Sequence, residues 1–428
     1  MVEKVILGAG IAGISAAYHA NKYGYKTTIY EARDSWGGLL DNFFIDRFRF
    51  DTTVHLSFAK DKYVRSIFDQ TDYYEYIPVP YNYENGVWLK HPVQNNLYPI
   101  SASEKVEAIK GFIERPNLDK VSNYYEWLLR QYGGYIADRY PVKYTQKYWT
   151  VHPKELSVDW VGIRMYRPNI DEVLIGALTD ETPNLYYAKE MRYPQKGGFK
   201  AFLNPMVDFC DIKTKKRAIR INPKHKYVEF ADGEKVYYET LISSIPLPNL
   251  VSMIDEVPLN IIEAAKELWA TSVAIVSIGF NRPDVAKHLW FYIYDESILA
   301  SRVYSPNLKS PDNVPDDCSS LQFEIYFSKH RPLKIQCNNL IEHIANSIEK
   351  MDLASKNDII VTDCRIVPFG NVVFDHGMIS RREAVKKFLK TINIHTIGRF
   401  GEWAYLWSDQ SLLSGKRVID GLFNKGVK

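Results

Sequence analysis

Apolar positions along the chain change their period several times. Val5–Leu7 is a short continuous apolar run, the pattern of a strand covered on both faces, and it stops at Gly8-Ala9-Gly10-Ile11-Ala12-Gly13. An alanine-rich helical stretch follows from Ile14 to about Tyr23, and Gly24 just beyond it predicts a glycine C-terminal cap. Lys26–Tyr30 is β-branched and predicts a second strand. From about Ser101 to Met165 helical periodicity dominates, with expected helices at Glu104–Ile113, Tyr124–Tyr132, Tyr135–Asp138 and Pro153–Val161. Strand patterns return at Tyr227–Phe230, Thr240–Ile245, Val273–Phe280, Leu289–Tyr294 and Leu321–Phe327, and Asp232-Gly233 between two of them predicts a hairpin turn. Ile359–Val367 and Ile394–Ile397 predict two further strands, and Leu412–Leu422 a last helix.

A βαβ opening, then helices, then mixed strands, then a closing βα unit imply an α/β chain that leaves its first domain, builds others and returns. The expected architecture is α/β, a Rossmann-like domain with a helical insertion domain and an antiparallel β-sheet domain. The first takes residues 1–75, 186–245 and 359–428, the helical domain 101–175, and the sheet domain 76–100 with 246–358.

Composition narrows the class. The 428 residues suffice for two or three domains, and 46% hydrophobic with 25% charged residues excludes wholesale disorder. A net charge of +3 gives no reason to expect nucleic acid or a membrane surface. No apolar run reaches the length of a membrane span, and Met1-Val2-Glu3-Lys4 leads directly into a strand rather than a signal peptide. Cys210, Cys318, Cys337 and Cys364 show no metal-ligand spacing, so no metal site is expected and a reducing cytoplasm is the expected compartment. Oligomeric state is left open.

The glycines carry the first chemistry. In Gly8-x-Gly10-x-x-Gly13, Gly8 permits a tight turn, Gly10 lets backbone N–H groups approach a pyrophosphate, and Gly13 lets helix and strand pack closely. The helix N-terminus, where Ala12 lies, then faces the phosphates. Glu31 at the end of the second strand can accept from ribose hydroxyls, which argues against a 2′-phosphate.

After Glu31-Ala32-Arg33 comes Trp36-Gly37-Gly38-Leu39, and here the chain resembles the flavin amine oxidase class, where an arginine and a Gly-Gly pair follow the second strand. That resemblance implies FAD. Gly398-Arg399 and the last helix, opened by Gln410-Ser411, would serve the flavin end, with His55 near it. Four inserts are similar to the UDP-galactopyranose mutase family: His91-Pro92-Val93-Gln94-Asn95-Asn96; Lys147-Tyr148-Trp149 with Asp159-Trp160-Val161-x-x-Arg164; Arg192-Tyr193-Pro194-Gln195-Lys196-Gly197-Gly198; and Gly398-Arg399-Phe400-Gly401-x-Trp403-x-Tyr405. The resemblance implies a pyranose–furanose mutase acting on a nucleotide sugar, with a role in surface polysaccharide biosynthesis. In that family FAD is reduced, with NAD(P)H a candidate reductant, and its N5 attacks the anomeric carbon without net redox change. Carried over by position, Arg164 and Arg302 would hold the diphosphate, Tyr292 and Tyr405 contact substrate, Trp149 line the pocket, and Gln94 and Asn95 touch the nucleotide.

Departures from the family cluster on the substrate side. Thr53-Val54-His55 stands where the family has Gly-Gly-His, so Val54 is expected to crowd the backbone and remove φ freedom. Asn371 and Leu308 stand near positions of family tyrosines, and Ala404 replaces an arginine. Two further readings remain: a redox flavoenzyme of the amine oxidase or dehydrogenase type, and a flavin-containing protein without catalysis. Leu178–Ala188 is a candidate lid.

Overall fold

In the computed structural model, which describes residues 3–423, strand β1 (Glu3–Leu7) lies inside a seven-stranded sheet. It pairs in parallel with strand Lys235–Ser243 on one side and with β2 (Thr27–Tyr30) on the other, and β2 pairs in parallel with Asp211–Lys213. Strand Ile394–Thr396 joins in parallel beyond Lys235–Ser243. Val5 and Ile6 are fully buried, as a strand covered on both faces requires. Met1, Val2 and residues 424–428, placed by the sequence reading in the nucleotide-binding unit, lie outside the described residues.

Helix α1 (Ile11–Lys22) connects β1 to β2 and packs on the C-terminal helix Ser408–Phe423. The approach is close because Gly415 has no side chain: a Cβ there would lie 2.3 Å from the Ala12 carbonyl oxygen. Ser15 Oγ donates to the Leu412 carbonyl at 2.7 Å and locks the pair. The two ends of the chain therefore meet at one site.

A second seven-stranded sheet runs in the order 359–372, 270–280, 319–327, 302–304, 290–293, 81–84, 87–90. Its pairings are antiparallel except that Trp290–Ile293 runs parallel to Tyr81–Glu84. The helices Ala102–Ile113, Tyr124–Ala137, Lys143–Tyr148 and Ile170–Leu178 form the intervening helical segment. One core joins that segment (Phe112, Trp127, Trp149, Trp160) to the returning chain (Phe374, Leu389, Trp403). Among the described residues no helix is long and apolar enough to cross a membrane.

Two elements differ from the pattern reading. Pro153–Val161 is not a helix: a single 3₁₀ turn covers Pro153–Glu155. Its backbone is committed elsewhere, since the Leu156 carbonyl accepts from Tyr124 N–H and Ser157 N–H donates to the Phe374 carbonyl. Those distant partners outweigh local periodicity. The last helix begins at Ser408, four residues before the expected start. Helices at Cys337–Lys350 and Met378–Thr391 were not anticipated. Asp232-Gly233 does turn a hairpin, between Tyr227–Phe230 and Lys235–Ser243, with Gly233 at φ 86°.

Candidate functional site

A cavity of about 1260 Å³ runs from the first glycine turn to the junction of the two sheets with the helical segment. At its near end Gly8 turns at φ 97°, and a Cβ on Gly13 would sit 2.0 Å from the Gly8 carbonyl oxygen. Gly10 precedes α1 without a side-chain cap, so the open N-terminus of α1 meets the cavity at Gly10, Ile11 and Ala12. Gly37 and Gly38 bring a second loop against this turn. Arg33 Nη2 holds that loop by donating to the Gly38 carbonyl at 2.7 Å, and a Cβ on Gly38 would lie 2.9 Å from Gly10 Cα. Glu31 accepts from Ala9 N–H at 2.8 Å and Arg33 N–H at 2.9 Å and lines the cavity. Leu39 and His55 continue the wall, as do Gly398, Arg399 and Ser411 from the C-terminal segment.

The far end is built around Tyr405. The guanidinium carbons of Arg164 and Arg399 each lie 4.5 Å from its ring centroid, within cation–π distance. Arg164 donates to the carbonyls of Trp160 and Tyr405, both at 3.0 Å, and Arg399 to the Leu406 carbonyl at 3.1 Å and Asn371 Oδ1 at 2.6 Å. Neither pairs with a carboxylate among the described residues. Burial, with Arg399 nearby, pulls Arg164 below its ordinary pKa. Arg302 differs. Burial opposes its charge too, but Glu324, 2.6 Å from Nη2, outweighs burial and holds the guanidinium well above its usual range. Glu324 is 2% exposed and also accepts from Tyr326 OH at 3.0 Å.

Four buried polar atoms of this wall have no hydrogen-bond partner: Trp160 Nε1, Arg164 Nε, Asn371 Nδ2 and Arg399 Nε. All four are donors. Buried donors are costly to leave unmatched, so this end of the cavity is shaped for a ligand rich in acceptor oxygens.

Between the two ends the wall is aromatic and apolar. Val54, Phe58, Tyr186, Tyr187, Met191, Trp290, Tyr292, Tyr304 and Trp407 line it. His91 packs against Tyr292 with ring centroids 4.8 Å apart and the planes tilted by 41°, and burial pushes it down to about 3. His55 Nδ1 donates to the Thr53 carbonyl at 2.9 Å, and burial pushes the imidazole down to about 4. Val54 is absent from the positions with positive φ, so its backbone needs no glycine and the expected loss of φ freedom does not arise.

Buried neutral histidines fix an acid response. His19, 3% exposed between Ser15 and Tyr63, is also pushed down to about 4, by burial first. Its folded pKa lies below its unfolded value near 6.5, so between those limits the unfolded chain binds more protons. The stability from His19 is complete above pH 6.5 and is lost as pH falls toward 4. Urea midpoints at pH 7, 6 and 5 should fall for the wild-type protein. They should fall less steeply for His19→Gln, by up to about 1.4 kcal/mol per pH unit. Parallel curves would show that His19 takes no part.

Most sequence-expected residues meet in this one cavity: Arg164, Arg302, Tyr292, Tyr405, Trp149 and Gln94 line it together with the glycines and Glu31. Three do not. Gly13 packs beneath the turn. Asn95 is buried beside the helix Ile170–Leu178, where a Cβ on Gly176 would lie 1.9 Å from its carbonyl oxygen. Gln410 turns back to cap its own helix, Oε1 accepting from Trp407 N–H at 2.9 Å. Leu308 and Ala404 are likewise absent from the lining. Glu324, Tyr148, Tyr304 and Tyr326 were missed, although Gln322, Glu324 and Tyr326 alternate along an otherwise apolar strand. Leu178–Ala188 is pinned at several points: Thr182 contacts Lys90 and Asn96, and Asn184 Nδ2 donates to the Pro78 carbonyl at 2.6 Å.

Comparison with known proteins bears on the fold. The family model for an NAD(P)-binding Rossmann-like domain matches residues 6–71. A crystal structure of reduced UDP-galactopyranose mutase superposes with a TM-score of 0.93 at 24% identity, over 100% of this chain and 97% of that one. A candidate protoporphyrinogen oxidase from Exiguobacterium sp. 255-15 follows at 0.76 and 14% identity, covering 99% of each chain. Putrescine oxidase bound to putrescine superposes at 0.70 and 16% identity, again over 99% of each. The Rossmann-like α/β unit, the helical segment and the largely antiparallel sheet thus assemble into the fold of UDP-galactopyranose mutase.

Proposed function

We propose that this chain is an FAD-dependent mutase that interconverts the pyranose and furanose forms of a nucleotide sugar. The observation that carries this is the Tyr405 end of the cavity, where two guanidiniums without carboxylate partners and four unmatched donors converge. A diphosphate supplies the acceptors and the charge they lack. An amine substrate would need the opposite polarity, and the carboxylate at this end, Glu324, is already neutralised by Arg302.

The near end fits FAD. The uncapped N-terminus of α1 and the Gly8–Gly10 turn suit a pyrophosphate, and Glu31 suits ribose hydroxyls. The cradle has no room for side chains at Gly38 or Gly398, where a Cβ on the latter would lie 2.8 Å from Ala12 Cβ. Gly398 and Ser411 stand at the flavin end. Held there in its reduced form, FAD would supply a nucleophilic nitrogen for the anomeric carbon. Arg164 and Arg399 stabilise the departing nucleoside diphosphate, and Tyr405 spaces them. Tyr292 and Trp149 wall the sugar and exclude water, and Gln94 faces the nucleotide. The three-unit division of the chain, NAD(P)H as reductant and a role in polysaccharide biosynthesis belong to the same reading.

The test is anaerobic. Protein reduced with dithionite, and oxidised protein as control, is incubated with a panel of nucleotide sugars and the ring form of the product is read by chromatography. Furanose product in the reduced sample alone, with no oxygen consumed, is expected. Bleaching of the oxidised flavin by a substrate would instead identify a redox enzyme.

A further inference from the structure

The middle of the cavity has a composition that the diphosphate end does not share. Val54 projects into it from the loop that follows strand Phe48–Asp51. It belongs to an apolar cluster with Phe58, Met191, Trp290 and Tyr304. Most charged lining residues stand elsewhere, and Arg164 meets this section only through the face of Trp407, 4.6 Å from its ring centroid. Glu31, Arg33, Asp34, Asp41, Lys216 and Arg217 border the glycine turn or its loop, Arg365 lies over Phe43, and Arg164, Arg302, Glu324 and Arg399 belong to the far end. Arg302 meets the cluster through the face of Tyr304, 4.8 Å from its ring centroid. The two imidazoles here, His55 and His91, are half-buried, and desolvation holds both below the ordinary histidine pKa.

Arg302 is already paired with Glu324 and Arg164 is assigned to the diphosphate, so a sugar bearing a carboxylate or an ammonium group would find no counter-charge left for it in this section, and desolvating it would be costly. A neutral sugar is compatible. Val54 narrows the choice further. Its two methyl groups can neither donate nor accept, so a hydroxyl set against them loses its hydrogen bonds to water without replacement. A methyl group in the same place gains apolar contact.

We propose that Val54 is a specificity-determining residue that selects a neutral deoxyhexose, with the sugar's unhydroxylated carbon against the Val54–Met191–Trp290 cluster. This rests on the nucleotide-sugar reading above. One group exchanged in a pocket of this kind is worth roughly a 10–200-fold discrimination.

The experiment uses the flavin-loaded, dithionite-reduced protein and two probes, UDP-D-galactose and UDP-D-fucose, its 6-deoxy counterpart. For each, kcat/KM and the dissociation constant, from the flavin absorbance change, are measured in the wild type, Val54→Gly and Val54→Thr. The wild type is expected to favour the 6-deoxy sugar at least tenfold. Val54→Gly should bring the ratio close to one. Val54→Thr, nearly the same size but able to hydrogen-bond, should shift it toward UDP-galactose. Equal use of both sugars by the wild type, or a ratio that Val54→Gly leaves unchanged, would overturn the inference. Binding separates the two claims. If neither sugar turns over but the 6-deoxy sugar binds more tightly and Val54→Gly abolishes the difference, the selectivity holds and the mutase reading fails. Equal binding of both sugars overturns the selectivity whatever the turnover.

Discussion

Arg164→Leu is expected to raise the dissociation constant for UDP about 100-fold while flavin content and folding stability stay near wild type. The size follows from what is lost: a charge-assisted contact to an anion in a partly dry cavity is worth roughly 1.5–3 kcal/mol. Retained stability follows from the environment of Arg164. Its guanidinium makes two hydrogen bonds to carbonyls, its Nε has none, and burial already disfavours its charge. The ligand-free protein therefore bears a desolvation cost that leucine removes, offsetting the lost hydrogen bonds. Arg164→Lys should recover only part of the affinity, because an ammonium cannot lie flat against both Tyr405 and Trp407, whose ring centroids are 4.5 and 4.6 Å from the guanidinium carbon. UDP binding by calorimetry, flavin absorbance and urea unfolding are read on one preparation. Parallel loss of flavin and UDP would make Arg164 a structural residue and remove the main support for the diphosphate site.

Arg164 also shows what the sequence could and could not convey. Asp159 stood close enough in sequence to be its partner, yet the arginine reaches the carbonyl of Tyr405, 241 residues away. The glycine turn, α1 and Glu31 were legible because each follows from local requirements: a turn without Cβ atoms, an open helix end, a carboxylate at a strand end. Asp232-Gly233 was legible for the same reason. Glu324 was not, because its partner Arg302 lies on the neighbouring strand and only the register of the pair sets them opposite one another. Pro153–Val161 misled because its periodicity serves a strap whose backbone bonds to Tyr124 and Phe374. Cys337–Lys350 was readable and overlooked: Leu340, Ile344 and Ile348, all fully buried, recur every four residues. The sheet junction where Trp290, Tyr304 and Met191 meet Val54 comes from four separate stretches of chain, and no local pattern specifies such a meeting.

Lys309→Met is expected to destabilise the protein by about 3–5 kcal/mol, the usual cost of stranding one partner of a buried ion pair. Lys309 Nζ lies 3.0 Å from Asp51 Oδ2, and both side chains are 0% exposed. Asp51 also accepts from Tyr193 OH at 2.9 Å and Phe199 N–H at 3.2 Å, while Gln322 Nε2 donates to its carbonyl at 2.8 Å. These neutral donors cannot replace the cation. Asp51 closes strand Phe48–Asp51 directly before Thr52–His55, which line the cavity, so the pair holds the wall that carries His55 toward the proposed flavin and Val54 toward the proposed sugar. Its loss should therefore weaken flavin retention together with stability, the reverse of the separation expected for Arg164→Leu. Adding Asp51→Asn to Lys309→Met removes the stranded charge and should restore part of the stability, and the double-mutant cycle measures the coupling. A cost below about 1 kcal/mol for Lys309→Met would mean that water reaches Asp51 and that the cavity wall is held by Tyr193, Phe199 and Gln322 instead.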